Sequence, residues 1–280
     1  MKKFAVILLA VVALVSGLGA TPLIGRGAGT LKPLQFLGEL DLGYAQTTKT
    51  YDWAANTWKD LDAKERTTTL SGTFLLGFAP IKRWELLLLA PIASKSQDTL
   101  SSFGVGDLEF HTRYALITGK LAPFFLTGVA GVAFPTADKT AKPKIGDGKF
   151  AGALGLIFQT RQIGPILGHL RAAYWLNGKT NDSTRVGNMF EYSAKCDYKL
   201  IKMLELWLSL AGTMQARNEI NGVAKTNTEQ DRHVVSVGAV IKPIPVLFIR
   251  PRVGVPLEFI SRGGAIAPFS LGLSFWVIVP

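Results

Sequence analysis

The sequence predicts an all-β protein, a twelve-stranded antiparallel up-and-down transmembrane β-barrel. Three observations carry this reading. Period-two segments recur along the chain without long helical periodicity, the mark of strands. The connections between them alternate short and long, as when one end of a barrel is trimmed and the other elaborated. The composition is 48% hydrophobic and only 18% charged, yet past the first 20 residues no unbroken apolar run reaches the length of a spanning helix.

Taken in order, residues 1–20, "MKKFAVILLAVVALVSGLGA", have a basic start at Lys2 and Lys3, an apolar core and small residues. That is the anatomy of a signal peptide, cleaved after Gly19 or Ala20. The alternative, a retained anchor, has an apolar core shorter than a bilayer requires. Residues 21–33, "TPLIGRGAGTLKP", read as a loose tail, and 34–280 as the barrel. The strands fall at about 34–46, 67–78, 84–92, 105–116, 121–134, 149–160, 165–176, 189–200, 204–215, 232–241, 246–256 and 268–279. The long polar connections are 47–66, 93–104, 135–148, 177–188, 216–231 and 257–267. The single cysteine, Cys196, can form no internal disulfide.

Strand faces are polar on one side and oily on the other. In 105–116, Asp107, Glu109, His111 and Arg113 oppose Leu108, Phe110, Thr112 and Tyr114. In 189–200, Glu191, Ser193, Lys195, Asp197 and Lys199 oppose Phe190, Tyr192, Ala194, Cys196 and Tyr198. His169 and Arg171 share a face, as do Arg250 and Arg252, and as do Gln35, Glu39 and Asp41. Periodicity alone does not choose between a soluble barrel and a membrane barrel with the polar face inward. The leader, the connection rhythm and the strand number favour the membrane, where a closed sheet leaves no backbone group without a partner. Trp84, Trp175, Trp207, Trp276, Tyr44 and Tyr174 then fit interfacial girdles, although Trp175 and Trp207 point inward by parity.

The net charge of +11 is spread over turns, loops and strands without a basic cluster interleaved with aromatics. It reads as contact with water and anionic lipid head groups, not nucleic acid. In the last strand, Ser270, Gly272, Phe275 and Val277 resemble the C-terminal signal read by the outer-membrane assembly machinery.

"GVGDLEFHTRYALI", then "APFFLTGVAGVAFPTAD", then "GDGKFAGALGLIFQT" resemble a bacterial family named for the MetA pathway of phenol degradation. The matching positions are Gly104, Gly106, Asp107, Leu108 and Tyr114, then Phe134, Pro135 and Thr136, with Ala137 where Gly is usual, then Gly146 to Gly155. The resemblance covers roughly 100–180. It implies an outer-membrane barrel associated with uptake of small, often aromatic or apolar compounds, and it supplies no catalytic residue. Gly104 and Gly106 would relieve crowding where the chain enters the wall. A nucleotide loop is not expected, because Glu109 stands where the third glycine of that motif belongs and no helix follows.

Enzyme chemistry is the main rival. An outer-membrane lipid or ester hydrolase with a plugged lumen needs a serine beside a histidine. Arg113 and Arg171 follow His111 and His169 by two places, and Ser236 lies three from His233, on the opposite strand face. A metal site from Glu109, His111 and His169 would need strands that are not neighbours. No cofactor, metal or catalytic residue is expected. The remaining alternative is a structural barrel that only presents loops.

The reading is therefore a bacterial outer-membrane channel or uptake port for a small-molecule solute. Its lumen is expected to be lined by Asp107, Glu109, His111, Arg113, His169, Arg171, Glu191, Lys195, Asp197, Lys199, Arg250 and Arg252.

Overall fold

A computed structural model describes residues 27–279, except 120, 139, 147 and 181–183. The expected leader, residues 1–20, and residues 21–26 lie outside the described residues.

Twelve long strands follow in chain order: β1 Phe36–Thr47, β2 Thr67–Phe78, β3 Trp84–Gln97, β4 Leu108–Ile117, β5 Phe124–Phe134 and β6 Ala151–Thr160. Next come β7 Ile166–Asn177, β8 Met189–Ile201, β9 Leu204–Gln215, β10 Gln230–Ile244, β11 Leu247–Pro256 and β12 Ser270–Val279. Each pairs antiparallel with its sequence neighbours, and β1 pairs with β12, so the sheet closes. Closure is what a bilayer demands, since an edge strand would present unpaired N–H and C=O groups to hydrocarbon.

The period of two sorts side chains between the faces. Phe74, Leu88, Phe110, Leu156, Leu206, Leu208, Val237 and Val253 stand exposed on the outer wall. Aromatic side chains ring both ends of this oily belt. Phe36 stacks on Phe78 and Phe124 packs on Phe158 toward the short turns. Phe134 meets Phe150 toward the long loops, where Tyr174 pairs in register with Phe190. Trp84 joins the short-turn girdle. Trp175 and Trp207 do not belong to a girdle; they are buried at 4% and 8% exposure on the inner face. Trp276 also turns inward, against the cluster of Leu31, Leu37, Leu75, Leu87 and Leu89.

Residues 93–104 are not a polar loop. β3 continues to Gln97, the chain reverses at Asp98 (φ 50°), and Leu100–Val105 returns along it. Ile92 faces Val105 while Leu89 faces Glu109, so one extra residue is inserted at Gly106–Asp107. This bulge bends one continuous strand into β4. Gly106 donates its N–H to the Pro91 carbonyl at 2.7 Å, and a Cβ on it would lie 3.1 Å from Pro91. The glycine therefore serves a bulge inside a strand, not the exit from a loop.

Other long connections also carry structure. Lys49–Asp52 pairs with Thr57–Asp60 and with Ala265–Ile266. Tyr51 packs edge-on against Trp53 and Trp58, and Trp58 donates to the Glu258 carbonyl. The Lys49 ammonium meets the Glu258 carboxylate at 2.8 Å. That hydrogen bond raises the Lys49 pKa above its ordinary value.

The tail is not loose where it is described. Residues 27–31 run inside the barrel: Ala28 and Leu31 are 2% and 5% exposed. Leu31 fills the apolar side of the lumen between Leu37, Leu75 and Leu87.

Candidate functional site

The inner wall is divided. On the β1–β3 side it is aliphatic, from Leu37, Leu75, Leu87 and Leu89. On the β7–β12 side and along β4 it is ionisable, and many charges have opposite-sign partners on the same, the next or the next-but-one strand. Across β11, β12 and β1, the Arg252 fork donates to both oxygens of Asp41 at 3.0 and 2.9 Å, and Ser274 Oγ donates to the same carboxylate at 2.9 Å. On β8, Lys195 Nζ lies 2.7 Å from Asp197 Oδ1, while His169 Nε2 on β7 lies 2.6 Å from Asp197 Oδ2. Lys242 pairs with Glu205. His111 Nε2 meets Glu109 Oε2 at 2.7 Å.

Aromatic rings flank three of these cations. The Lys195 ammonium sits 5.4 Å from the Trp207 ring and Lys242 5.7 Å from Phe248. Arg250 stacks 4.3 Å over Trp276, which itself stacks on Phe248. Such contacts offset part of the cost of placing a cation away from bulk water.

These large inward groups need space beside them. His111 lies over Gly131, where a Cβ would stand 2.3 Å from Nδ1. Trp207 lies over Gly238, where a Cβ would stand 2.5 Å from the indole. The glycines let imidazole and indole lie flat along the wall.

Arg113 ties the N-terminal segment to the wall. It pairs with Glu85 at 3.3 Å and donates to the carbonyls of Gly27 and Gly29 at 2.5 and 3.4 Å. Thr127 Oγ1 donates to the Ala28 carbonyl, and the Ala28 N–H donates to Gln159 Oε1. Beside this segment a cavity of ≈ 320 Å³ remains, lined by Gly27, His169, Lys195, Asp197, Phe248 and Trp276 among others. Larger hollows, such as one of ≈ 880 Å³ bounded by Tyr198, Leu206, Val253 and Leu271, lie on the outer wall, toward lipid.

Most of the residues expected in the lumen sit on the inner face. Glu109, His111, Arg113, His169, Arg171, Glu191, Lys195, Asp197, Arg250 and Arg252 are all buried or half-buried there. Two differ. Asp107 sits at the bulge and accepts the N–H groups of Ala137 and Gly148 at 3.1 and 2.9 Å, so it holds the 135–148 loop. Lys199 is exposed at the short-turn end of β8. Replacing Asp107 by Ala removes both acceptors from that loop. Its expected result is faster proteolytic nicking between residues 138 and 146 with barrel unfolding unchanged; equal nicking in both proteins would rule out the anchoring role.

Sequence reading missed Glu85, Glu205, Lys242 and Phe248, placed Trp276 in a girdle and read residues 27–31 as part of a loose tail. The parity of Glu85 is hidden by the four consecutive leucines that follow it. Glu205 and Lys242 stand next to turns, where period-two patterning is too short to read. Among the described residues no three His, Cys, Asp or Glu are grouped to hold a metal ion.

No family model and no curated protein matches the sequence. Among solved structures, the COG4313 outer membrane channel from Pseudomonas putida F1 is similar, with TM-score 0.79 and 16% identity over 93% of this chain and 100% of that one. The fold is that of a closed twelve-stranded β-barrel of the outer-membrane kind. Weaker likenesses connect this barrel fold to the NanC porin, with TM-score 0.51 and 8% identity over 86% of this chain and 98% of that one. They extend to the β domain of the Bordetella autotransporter BrkA, with TM-score 0.51 and 10% identity over 87% and 99%. At these identities the likeness is one of fold.

Proposed function

We propose that the protein is a passive uptake channel of the bacterial outer membrane for small, apolar or aromatic compounds. A solute enters at the long-loop end, passes the gap between the N-terminal segment and the β7–β12 wall, and leaves at the short-turn end. One observation carries this reading most directly: the cavity beside the segment combines the stacked Phe248–Trp276 shelf with the Lys195–Asp197–His169 cluster. An apolar body can rest on the shelf while a polar substituent meets charge, and the aliphatic side of the lumen adds oily contact. The twelve residues expected to line the lumen are proposed as the route, with three adjustments. Asp107 acts at its loop, Arg113 acts through the segment it anchors, and Lys199 stands at the short-turn exit. The resemblance to the phenol-degradation family supports the same solute class.

The histidines give the hydrolase reading no support. The imidazoles of His111, His169 and His233 meet Glu109, Asp197 and the Tyr192 hydroxyl, and Ser261 Oγ accepts from the backbone N–H of His233, not from its ring.

Liposome swelling with graded solutes, run beside single-channel recording, tests the proposal. The expected result is passage of small solutes, exclusion of disaccharides, and a current reduced by a small aromatic solute. Trp276→Ala is expected to weaken that reduction. Ester turnover without conductance would replace the channel by an enzyme, and neither activity would leave a structural barrel.

A further inference from the structure

The five connections at the short-turn end, 79–83, 117–123, 161–165, 199–203 and 242–246, contain seven Lys or Arg, of which Lys242 pairs inward with Glu205, and no Asp or Glu. Lys82, Arg83, Arg161 and Lys202 are exposed there. Each connection also exposes an aliphatic side chain: Ile81, Leu121 at 96% exposure, Ile163 at 76%, Met203 and Ile244. The opposite end is built differently. Its loops carry both signs and pair them internally, as in Lys49–Glu258, Arg217–Glu229 and Arg262–Asp231. Lys82, Arg83 and Lys202 have no ion-pair partner among the described residues.

We infer that the short turns form a collar that binds acidic phospholipid head groups of the leaflet on that side. The turns lie directly beyond the girdle of Trp84, Phe36, Phe78, Phe124 and Phe158. A turn at that depth sits where acyl chains give way to phosphate. Its aliphatic residue enters the oily side while its basic residue reaches the anionic side. In open water, Leu121 and Ile163 would be oily groups with nothing to cover them. A purely soluble acidic partner would explain the charge but not an aliphatic residue on every turn. Attraction between basic residues and an anionic surface is additive and screened by salt. The inference rests on the barrel spanning a bilayer and is independent of what the channel carries.

The test compares thermal unfolding of the full chain in nanodiscs of phosphatidylcholine with nanodiscs containing one quarter phosphatidylglycerol. The acidic lipid is expected to raise the midpoint at low salt, and 0.5 M NaCl is expected to abolish the rise. K82Q/R83Q/R161Q/K202Q is expected to lose it, while K59Q/K64Q/K225Q, at the other end, keeps it. Native mass spectrometry gives a second readout, in which the wild type retains phosphatidylglycerol several-fold over phosphatidylcholine and the short-turn variant does not. An equal midpoint in both lipids, or a preference that survives the short-turn variant, overturns the collar. Failure to enter either nanodisc would instead count against the membrane-spanning reading.

Discussion

Arg113→Glu is expected to release the N-terminal segment from the lumen and to weaken the barrel. Arg113 is 2% exposed and Glu85 is not exposed at all, so the pair lies out of contact with bulk water. Removing one member of a buried ion pair costs about 3–5 kcal/mol, because the other charge is stranded. Here the new carboxylate would also face Glu85 and the carbonyls of Gly27 and Gly29, all acceptors, where donors stood before. Hydrogen exchange at the Ala28 amide, which donates to Gln159, should accelerate, and single-channel current should rise as the segment leaves. Ion selectivity should shift with the charge. Arg113→Lys keeps the charge but not the planar fork, and should fall between the two. Unaltered exchange at Ala28 in the Glu variant would show that the segment is held by something other than Arg113.

Leu156→Arg is the second large effect. Leu156 is 51% exposed on the outer wall of β6, midway along the strand, between Gly128 and Ala172 in register. A cation on the lipid face near the bilayer midplane costs about 2–4 kcal/mol. Urea titration of refolding into vesicles should show that loss, while Leu156→Ala separates the charge from the lost side-chain packing. Refolding as stable as wild type with Arg at 156 would mean that this face meets water, and the inside-out sidedness would be wrong.

How much of this was legible depends on the kind of signal. Strand positions were legible because each crosses an oily zone on one side only, which imposes alternation. Leu100–Val105 was not legible. Its hairpin partner Ser94–Gln97 projects past the oily belt, so Ser94, Lys95, Ser96 and Gln97 are polar on both faces and alternate nothing. The indoles show a second limit. Trp175 and Trp207 were assigned correctly by parity and wrongly by the habit of placing aromatics at interfaces. Gly238 reveals which rule holds for Trp207, since a glycine on the next strand makes the space that this inward ring requires.

The lumenal segment shows the deepest limit. "GAG" at 27–29 offers no side chain that announces a partner. It is held by backbone carbonyls that accept from Arg113 and Thr127, 84 to 99 residues away. Likewise, nothing in strand β1 says that Asp41 will meet Arg252, 211 residues later.

From the chain alone one learns which side chains share a face of each strand, because successive residues point to opposite sides, and that the sheet must close, because hydrocarbon cannot satisfy an open edge. Closure in three dimensions decided the rest. It set which strands meet and therefore which charges neutralise each other. It divided the lumen into an aliphatic side and an ionic side, and it enclosed a glycine-rich tail whose backbone, not its side chains, makes the bonds.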